Sequence, residues 1–357
     1  MRILMVCTVP FTITGIPVHI RNYYNELIKK ENVSIDIVSE LYDEKIVKTL
    51  NLDNTNLYEL PRKKNPIKYV VVLREILKRE RYDIIHIHGN SSTMALELFA
   101  TFGMRIVKVI HAHNTKCSHV FLNFLLKPVI NKISNLKFAC STEAGDWLYG
   151  KHKDYFVIGN GVDIKRFAFS KRNRISLRKE YGIPDKKIVI GHIGTFNEQK
   201  NQKFLIGVAE GLKKRELDFL FFMIGEGNNT AFMESITEKK LEDYFFVKTA
   251  VTEIYKYYSI FDIFVLPSKW EGLGMVAIEA QLSGLTTIVS DFVPREIEIS
   301  NNVFFISLEQ DEWIEEIERA TKDINRRSVT NYNKYDIVEC ANYLTKCYEK
   351  GLLNYEN

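Results

Sequence analysis

Two carboxylates and several glycines crowd into Val265 to Asp291, VLPSKWEGLGMVAIEAQLSGLTTIVSD. Glu271 falls in a short loop, Ser268 to Gly274, and Glu279 follows after seven intervening residues that include Gly272, Leu273, Gly274 and Met275. Loop glycines let a backbone come close to a ligand, and the start of a helix offers unpaired N–H groups to an anion. One acid before that point and one beyond it can hold hydroxyls on either side of a phosphate, the layout of a nucleotide-sugar site. A plainer reading stays open, with Glu271 a solvated loop acid and Glu279 a surface helix acid.

Histidines form the second chemical set. His86 and His88 end one apolar run, and His111 and His113 end the next. Open α/β sheets bind ligands at the carboxyl ends of their strands, so two such endings point to a site. Gly15 lies in the loop Thr8 to Pro17 behind the opening apolar run. That is a phosphate-binding corner with one glycine in place of a GxGxxG set.

The elements that must position these residues are legible as alternation. Ile263 to Leu266, stopped by Pro267, reads as a buried parallel strand; Met275 to Leu282 reads as a helix with Gly284 at its C′ cap; Thr286 to Val289 closes the unit. The first half alternates likewise. Strands are expected at Arg2 to Cys7, Val33 to Ser39, Ile84 to His88, Arg105 to Ile110, Phe138 to Cys140 and Tyr155 to Ile158, with helices between them. The second half restarts with strands at Lys187 to His192, Asp218 to Ile224 and Tyr244 to Lys248, and a helix at Val251 to Ser259. Gly225-Glu226-Gly227 makes a tight loop at a strand end. The fold class is α/β: two doubly wound Rossmann-like domains facing a cleft. Phe167 to Asn173 turns polar and basic and reads as the linker. The domains are therefore 1–168, 169–335 and a C-terminal helix in 336–357 that packs back on the first. Cys117 to Ile133, apolar and aromatic among Lys116, Lys127, Lys132 and Lys137, reads as a buried helix broken by Pro128. A contact with a membrane or a lipid-linked acceptor is the alternative.

Composition narrows the classes. The 357 residues carry 46% hydrophobic and 26% charged side chains, the make-up of a water-soluble globular chain with two cores. Net charge is only +4, so nucleic acid is not the expected partner. Residues 1–168 hold 24 Lys and Arg against 16 Asp and Glu, a basic half suited to an acidic ligand or an anionic membrane surface. Five cysteines without a CxxC pair argue against a disulfide framework and a zinc-cysteine site. With no leader and no apolar run of membrane-spanning length, the expected location is cytoplasmic, including the inner face of the membrane.

Taken in order, these motifs carry a family. Met1 to Gly15, the His113-Asn114 pair, VIGNGVD at Val157 to Asp163, HIGTFNEQKN at His192 to Asn201, FMIGEG at Phe222 to Gly227 and the Glu-x7-Glu of Glu271 and Glu279 resemble the retaining, metal-independent glycosyltransferases of family 4, with the GT-B fold. The wording HAHNT, ACSTEAG and EGLGMVAIEAQLSG is similar to enzymes of bacterial capsular and exopolysaccharide synthesis. The resemblance spans nearly the whole chain and implies roles. Glu279 would bind ribose hydroxyls and Glu271 the donor sugar. Backbone at Gly272, Leu273, Gly274 and Met275 would meet sugar and diphosphate, while Gly15, Gly225 and Gly227 would let loops approach the donor. Lys200 would neutralise the departing diphosphate, and His113 would stand beside the transferred sugar and acceptor hydroxyl. The implied co-substrate is a UDP-sugar, with no metal or other cofactor, and the implied acceptor is an oligosaccharide or lipid-linked saccharide. Thr195 departs from the pattern: the family's Arg-x4-Lys becomes Thr-x4-Lys, so one diphosphate cation is missing. That departure keeps a weak or inactive nucleotide-sugar-binding partner open as an alternative, and a UDP-sugar 2-epimerase is a second one.

Overall fold

Strand sequences such as ILMVC and IFVL are unbroken apolar runs, which suits strands covered on both faces. The structure, a computed structural model, describes residues 1–357 except 53, 118, 250, 252, 330, 331 and 357, together with the side chain of 356. Ser118 in the apolar segment and Thr252 in the expected helix Val251 to Ser259 thus lie outside the described residues. The chain divides into two units, Met1–Asp163 with Asn333–Asn357, and Ile164–Tyr332.

In the first unit the strands are β1 (Arg2–Cys7), β2 (Ser34–Ser39), β3 (Leu57–Glu59), β4 (Ile84–Gly89), β5 (Val107–Ala112), β6 (Leu136–Ala139) and β7 (Phe156–Val157), all parallel, in the order β3-β2-β1-β4-β5-β6-β7. Alternate side chains of β1 enter opposite cores: Ile3, Met5 and Cys7 one, Leu4 and Val6 the other. The register pairs His88 with His111 across β4 and β5, which brings the two histidine endings level. The terminal helix Ile337–Glu356 belongs to this unit. Ile337, Leu344 and Tyr348 enter the core formed by Ile3 and Met5, and Lys30 donates to Asn342 at 2.6 Å.

The second unit repeats the plan with β8 (Ile188–Ile193), β9 (Phe219–Ile224), β10 (Phe245–Lys248), β11 (Ile263–Leu266), β12 (Thr286–Ser290) and β13 (Val303–Ile306) in the order β10-β9-β8-β11-β12-β13. Both units change winding direction beside their first strand, the place where open α/β sheets bind ligands at strand carboxyl ends.

Three readings need correction. The expected linker Phe167 to Asn173 overlaps two helices, Ile164–Phe167 and Lys171–Glu180, and the units part after Asp163. Lys171–Glu180 shows no apolar stripe because only Leu177 and Arg178 are buried, and Arg178 is anchored by Asp262 at 2.6 Å. The segment Ile254–Ser259 is a 3₁₀ helix. The helix Val120–Ile133 is not a core helix. Asn123 and Ile130 are its buried residues, whereas Phe121 and Phe124 are 76% and 74% exposed.

Candidate active site

β11 stops at Pro267, and the loop behind it turns Glu271 inward, leaving it 8% exposed. Its Oε1 accepts from Lys200 Nζ at 2.6 Å and from Ser268 Oγ at 2.7 Å, and its Oε2 accepts from Gln199 Nε2 at 3.2 Å. Ser268 is tied in turn by Ser290, which donates to its carbonyl. Glu271 is thus a fixed, desolvated carboxylate and not a solvated loop acid. Three neighbours hold one conformer, so its free oxygen lone pairs are aimed without further ordering cost.

Lys200 comes from the loop after β8. A Cβ on Gly194 would lie 3.0 Å from the Lys200 stem, so the glycine makes room for the lysine to reach back. Gln202 fixes that loop by donating to the carbonyls of Gly194 and Thr195 at 3.2 and 3.0 Å. Gly225 and Gly227 serve the same loop from below. A Cβ on Gly225 would fall 1.9 Å from the Gly194 carbonyl oxygen, and Gly227, at φ +104°, bridges Phe196. Their glycine requirement comes from loop against loop, which sets the floor under Lys200. Thr195 itself is exposed and brings no charge.

Gly274 caps the helix Met275–Leu282 in the left-handed conformation, φ +89°. Gly274 has no side chain to cap this end and no acid lies in the first turn, so the helix start keeps its positive character for an outside anion. Glu271 Cγ is 3.7 Å from where a Gly274 Cβ would be, so the fixed carboxylate and the helix start adjoin. One turn on, Glu279 Oε2 accepts from the buried Tyr258 hydroxyl at 2.6 Å. Arg326 braces this corner, donating to the carbonyls of Tyr258, Ser259, Phe261 and Ser283. Burial pushes that guanidinium down to about 9.

The histidines of the first unit meet as a cluster. His88 Nδ1 is 3.0 Å from His113 Nε2, His86 Nε2 is 3.2 Å from His111 Nδ1, and His111 stacks on His113 at 4.2 Å between ring centres. His19, from the helix Gly15–Leu27, joins them at 4.7 Å from the His113 ring and is held by Asn160 at 2.6 Å. Burial keeps all five imidazoles neutral by pushing their pKa values down, to about 4 for His19. Gly15 opens that helix with nothing within 4 Å of a would-be Cβ, so no neighbour in the structure accounts for the glycine.

Sequence reasoning missed Ser268, Gln199, Tyr258, His19 and Tyr348. Ser268 stands three residues before Glu271, a spacing that serves as a local hydrogen-bond signal. His19 falls on the buried stripe of its helix, where a polar residue is a signal in itself. Tyr258 and Tyr348 leave no trace in the motifs.

Comparison places these features in a family. The model described as "Glycosyltransferase Family 4" matches residues 13–166, and "Glycosyl transferases group 1" matches residues 173–336. Glycosyltransferase EpsF of Bacillus subtilis (strain 168) is 29% identical over 329 residues, 86% of this chain and 84% of that protein. An Escherichia coli UDP-Gal:alpha-D-GlcNAc-diphosphoundecaprenol alpha-1,3-galactosyltransferase is 26% identical over 274 residues, 72% of this chain and 71% of that one. The crystal structure of Anabaena HepE in complex with UDP-glucose superposes with TM-score 0.79 at 17% identity over 98% of this chain and 99% of that one. With two glycosyltransferase models accounting for both units, the chain belongs to the family 4 glycosyltransferases of the GT-B fold.

Proposed function

We propose that the chain moves a hexose or N-acetylhexosamine from a UDP-sugar, with retention, to a sugar hydroxyl of a growing lipid-linked surface saccharide. The observation that carries this reading is Glu271, locked by Lys200, Ser268 and Gln199 beside the uncapped start of Met275–Leu282. Donor hydroxyls would meet the fixed carboxylate. The diphosphate would lie between the helix N–H groups and the Lys200 ammonium. As the sugar's anomeric C–O bond to phosphate breaks, negative charge grows on the leaving diphosphate, and a preplaced cation and dipole stabilise it without reorganising. The acceptor oxygen forms the new anomeric bond and its proton passes to the leaving phosphate, so no protein base is needed and no metal at the diphosphate. Glu279, oriented by Tyr258, would take the ribose hydroxyls, and His113 would line the acceptor hydroxyl. The names of the E. coli and Anabaena proteins support UDP as the nucleotide, and the former's diphosphoundecaprenol substrate supports a lipid-linked acceptor.

Nucleotide release from UDP-, GDP- and ADP-sugars tests the reading. UDP-sugars should turn over, and Glu279→Ala should raise the donor KM by about 10-fold or more, the worth of one charged hydrogen bond. Release that is indifferent to both Glu279→Ala and Lys200→Ala would sink it. Thr195 favours one second reading, a partner that binds donor without turnover. Since residue 195 is exposed, an arginine fits there, and Thr195→Arg should raise turnover about 10–100-fold by restoring a charge-assisted contact. An epimerase is separated by product analysis without acceptor, where an epimerised sugar replaces free nucleotide.

The exposed helix Val120–Ile133 suits a membrane surface. Val120, Phe121, Leu122, Phe124 and Leu125 are exposed, with Lys116 exposed nearby. Apolar side chains beside lysines match an anionic headgroup boundary. No helix among the described residues is long and apolar enough to cross a membrane. Phe121→Ser/Phe124→Ser should reduce co-sedimentation with phosphatidylglycerol vesicles several-fold, while release from soluble donors persists. Unchanged sedimentation would remove the helix from the interface.

A further inference from the structure

We infer that His19, His88 and His111 form a binding site for a divalent transition metal ion of the zinc class in the first unit. Their three Nε2 atoms are buried and have no hydrogen-bond partner among the described residues. The residues themselves are 3%, 1% and 0% exposed. Buried polar atoms are nearly always hydrogen-bonded, so three unpartnered ones in one cluster call for an explanation such as an ion. One ring nitrogen from each of His19, His88, His111 and His113 can be chosen so that all lie within 4.8 Å of one another. Ligand nitrogens about 2.0–2.1 Å from a tetrahedral zinc stand about 3.4 Å apart, so small ring rotations close the site.

Proton placement selects three of the four rings. A ring that donates through Nδ1 leaves Nε2 bare as a metal ligand. His19 can donate Nδ1–H to Asn160 Oδ1 at 2.6 Å. His88 can donate Nδ1–H to His113 Nε2 at 3.0 Å. His111 can donate Nδ1–H to His86 Nε2 at 3.2 Å, and His86 can pass the pattern on by donating to Tyr348 Oη at 2.5 Å. In this arrangement the Nδ1–H groups of His19, His86, His88 and His111 each have an acceptor, and the bare Nε2 atoms of His19, His88 and His111 are the three that are unpartnered among the described residues. His113 and His86 then orient the ligands instead of binding the ion. A fourth coordination position stays open to water or a hydroxyl. The ligands come from the helix Gly15–Leu27, from β4 and from β5, so the ion would pin the first helix to the strand ends. The donor set is all imidazole, which suits zinc, cobalt, nickel or copper and not magnesium or calcium.

The test uses the full chain without a polyhistidine tag, stripped with EDTA and titrated with Co²⁺ and then Zn²⁺. One Co²⁺ per chain should bind with the visible absorption of a four-coordinate site, and Zn²⁺ should displace it. Zn²⁺ should also raise the unfolding temperature. His88→Ala and His111→Ala should each abolish the absorption and the thermal shift, whereas His119→Ala and His152→Ala, at exposed positions, should keep both. Should a ligand variant fold poorly, Tyr348→Phe and Asn160→Ala read the outer shell, and each should weaken Zn²⁺ affinity about 10–100-fold. No stoichiometric Co²⁺ or Zn²⁺ binding by the wild type, or binding that survives in His88→Ala/His111→Ala, would overturn the site. Neither result bears on the donor reading, whose residues lie in the other unit.

Discussion

Lys200→Met is expected to cost the protein its turnover and part of its stability, and a second substitution is expected to return only the stability. Lys200 and Glu271 are 2.6 Å apart, with side chains 16% and 6% exposed. Taking two charges this far out of water is repaid only while both are present. Removing one partner of such a pair typically costs about 3–5 kcal/mol because the other charge is left uncompensated. Ser268 and Gln199 still donate to the stranded carboxylate, which argues for the lower end of that range. Turnover should fall about 10²–10³-fold, the usual worth of one preplaced group that stabilises transition-state charge. Lys200→Met/Glu271→Gln removes the stranded charge as well. Its urea midpoint should return close to wild type while UDP release stays low. A wild-type midpoint in Lys200→Met would mean the pair is not effectively desolvated. Recovery of release in the double variant would mean that Lys200 serves folding alone.

The parts legible in the sequence were those governed by periodicity and by backbone chemistry. The run IFVL, the helix Met275–Leu282 and Gly284 at φ +75° after it follow from apolar patterning and the need for a residue that tolerates the left-handed region. Glu271 and Glu279 were legible as residues of interest, but not what fixes them. Lys200 is 71 residues away from Glu271 and Tyr258 is 21 from Glu279, and such pairings arise only when strands take their order in the sheet. The same holds for His86 and Tyr348, 262 residues apart. Composition misled at two helices. Lys171–Glu180 is held by the buried Arg178 and the half-buried Arg174 on Asp262 and not by an apolar face, so its polar text read as a linker. Val120–Ile133 is apolar enough for a core, yet the fold leaves Phe121 and Phe124 in the open, since hydrophobicity records what a side chain prefers and not what covers it.

The buried histidines make the first unit the acid-sensitive part of the molecule. A histidine in the unfolded chain titrates near 6.5, whereas burial pushes His19 down to about 4 and His86, His88, His111 and His113 well below the ordinary value. The unfolded chain therefore binds more protons than the folded one below pH 6.5. The stability these neutral rings allow is fully present above that pH and is lost as the pH falls towards their folded values. At pH 5.5 each ring that stays neutral costs about 1.4 kcal/mol relative to the unfolded chain. Several rings together approach the 5–15 kcal/mol that holds a whole domain. The second unit has a weaker liability of this kind in His192, which burial pushes down to about 3. Between pH 7.5 and 5.5, in EDTA to keep metal away, the first unit should lose stability several-fold more than the second. Trp147 reports on the first unit and Trp270 and Trp313 on the second, so comparing urea unfolding of wild type with Trp147→Phe separates them. Equal loss in both units, or no loss at pH 5.5, would mean that the cluster opens to water before it protonates and that its burial is not what keeps these rings neutral.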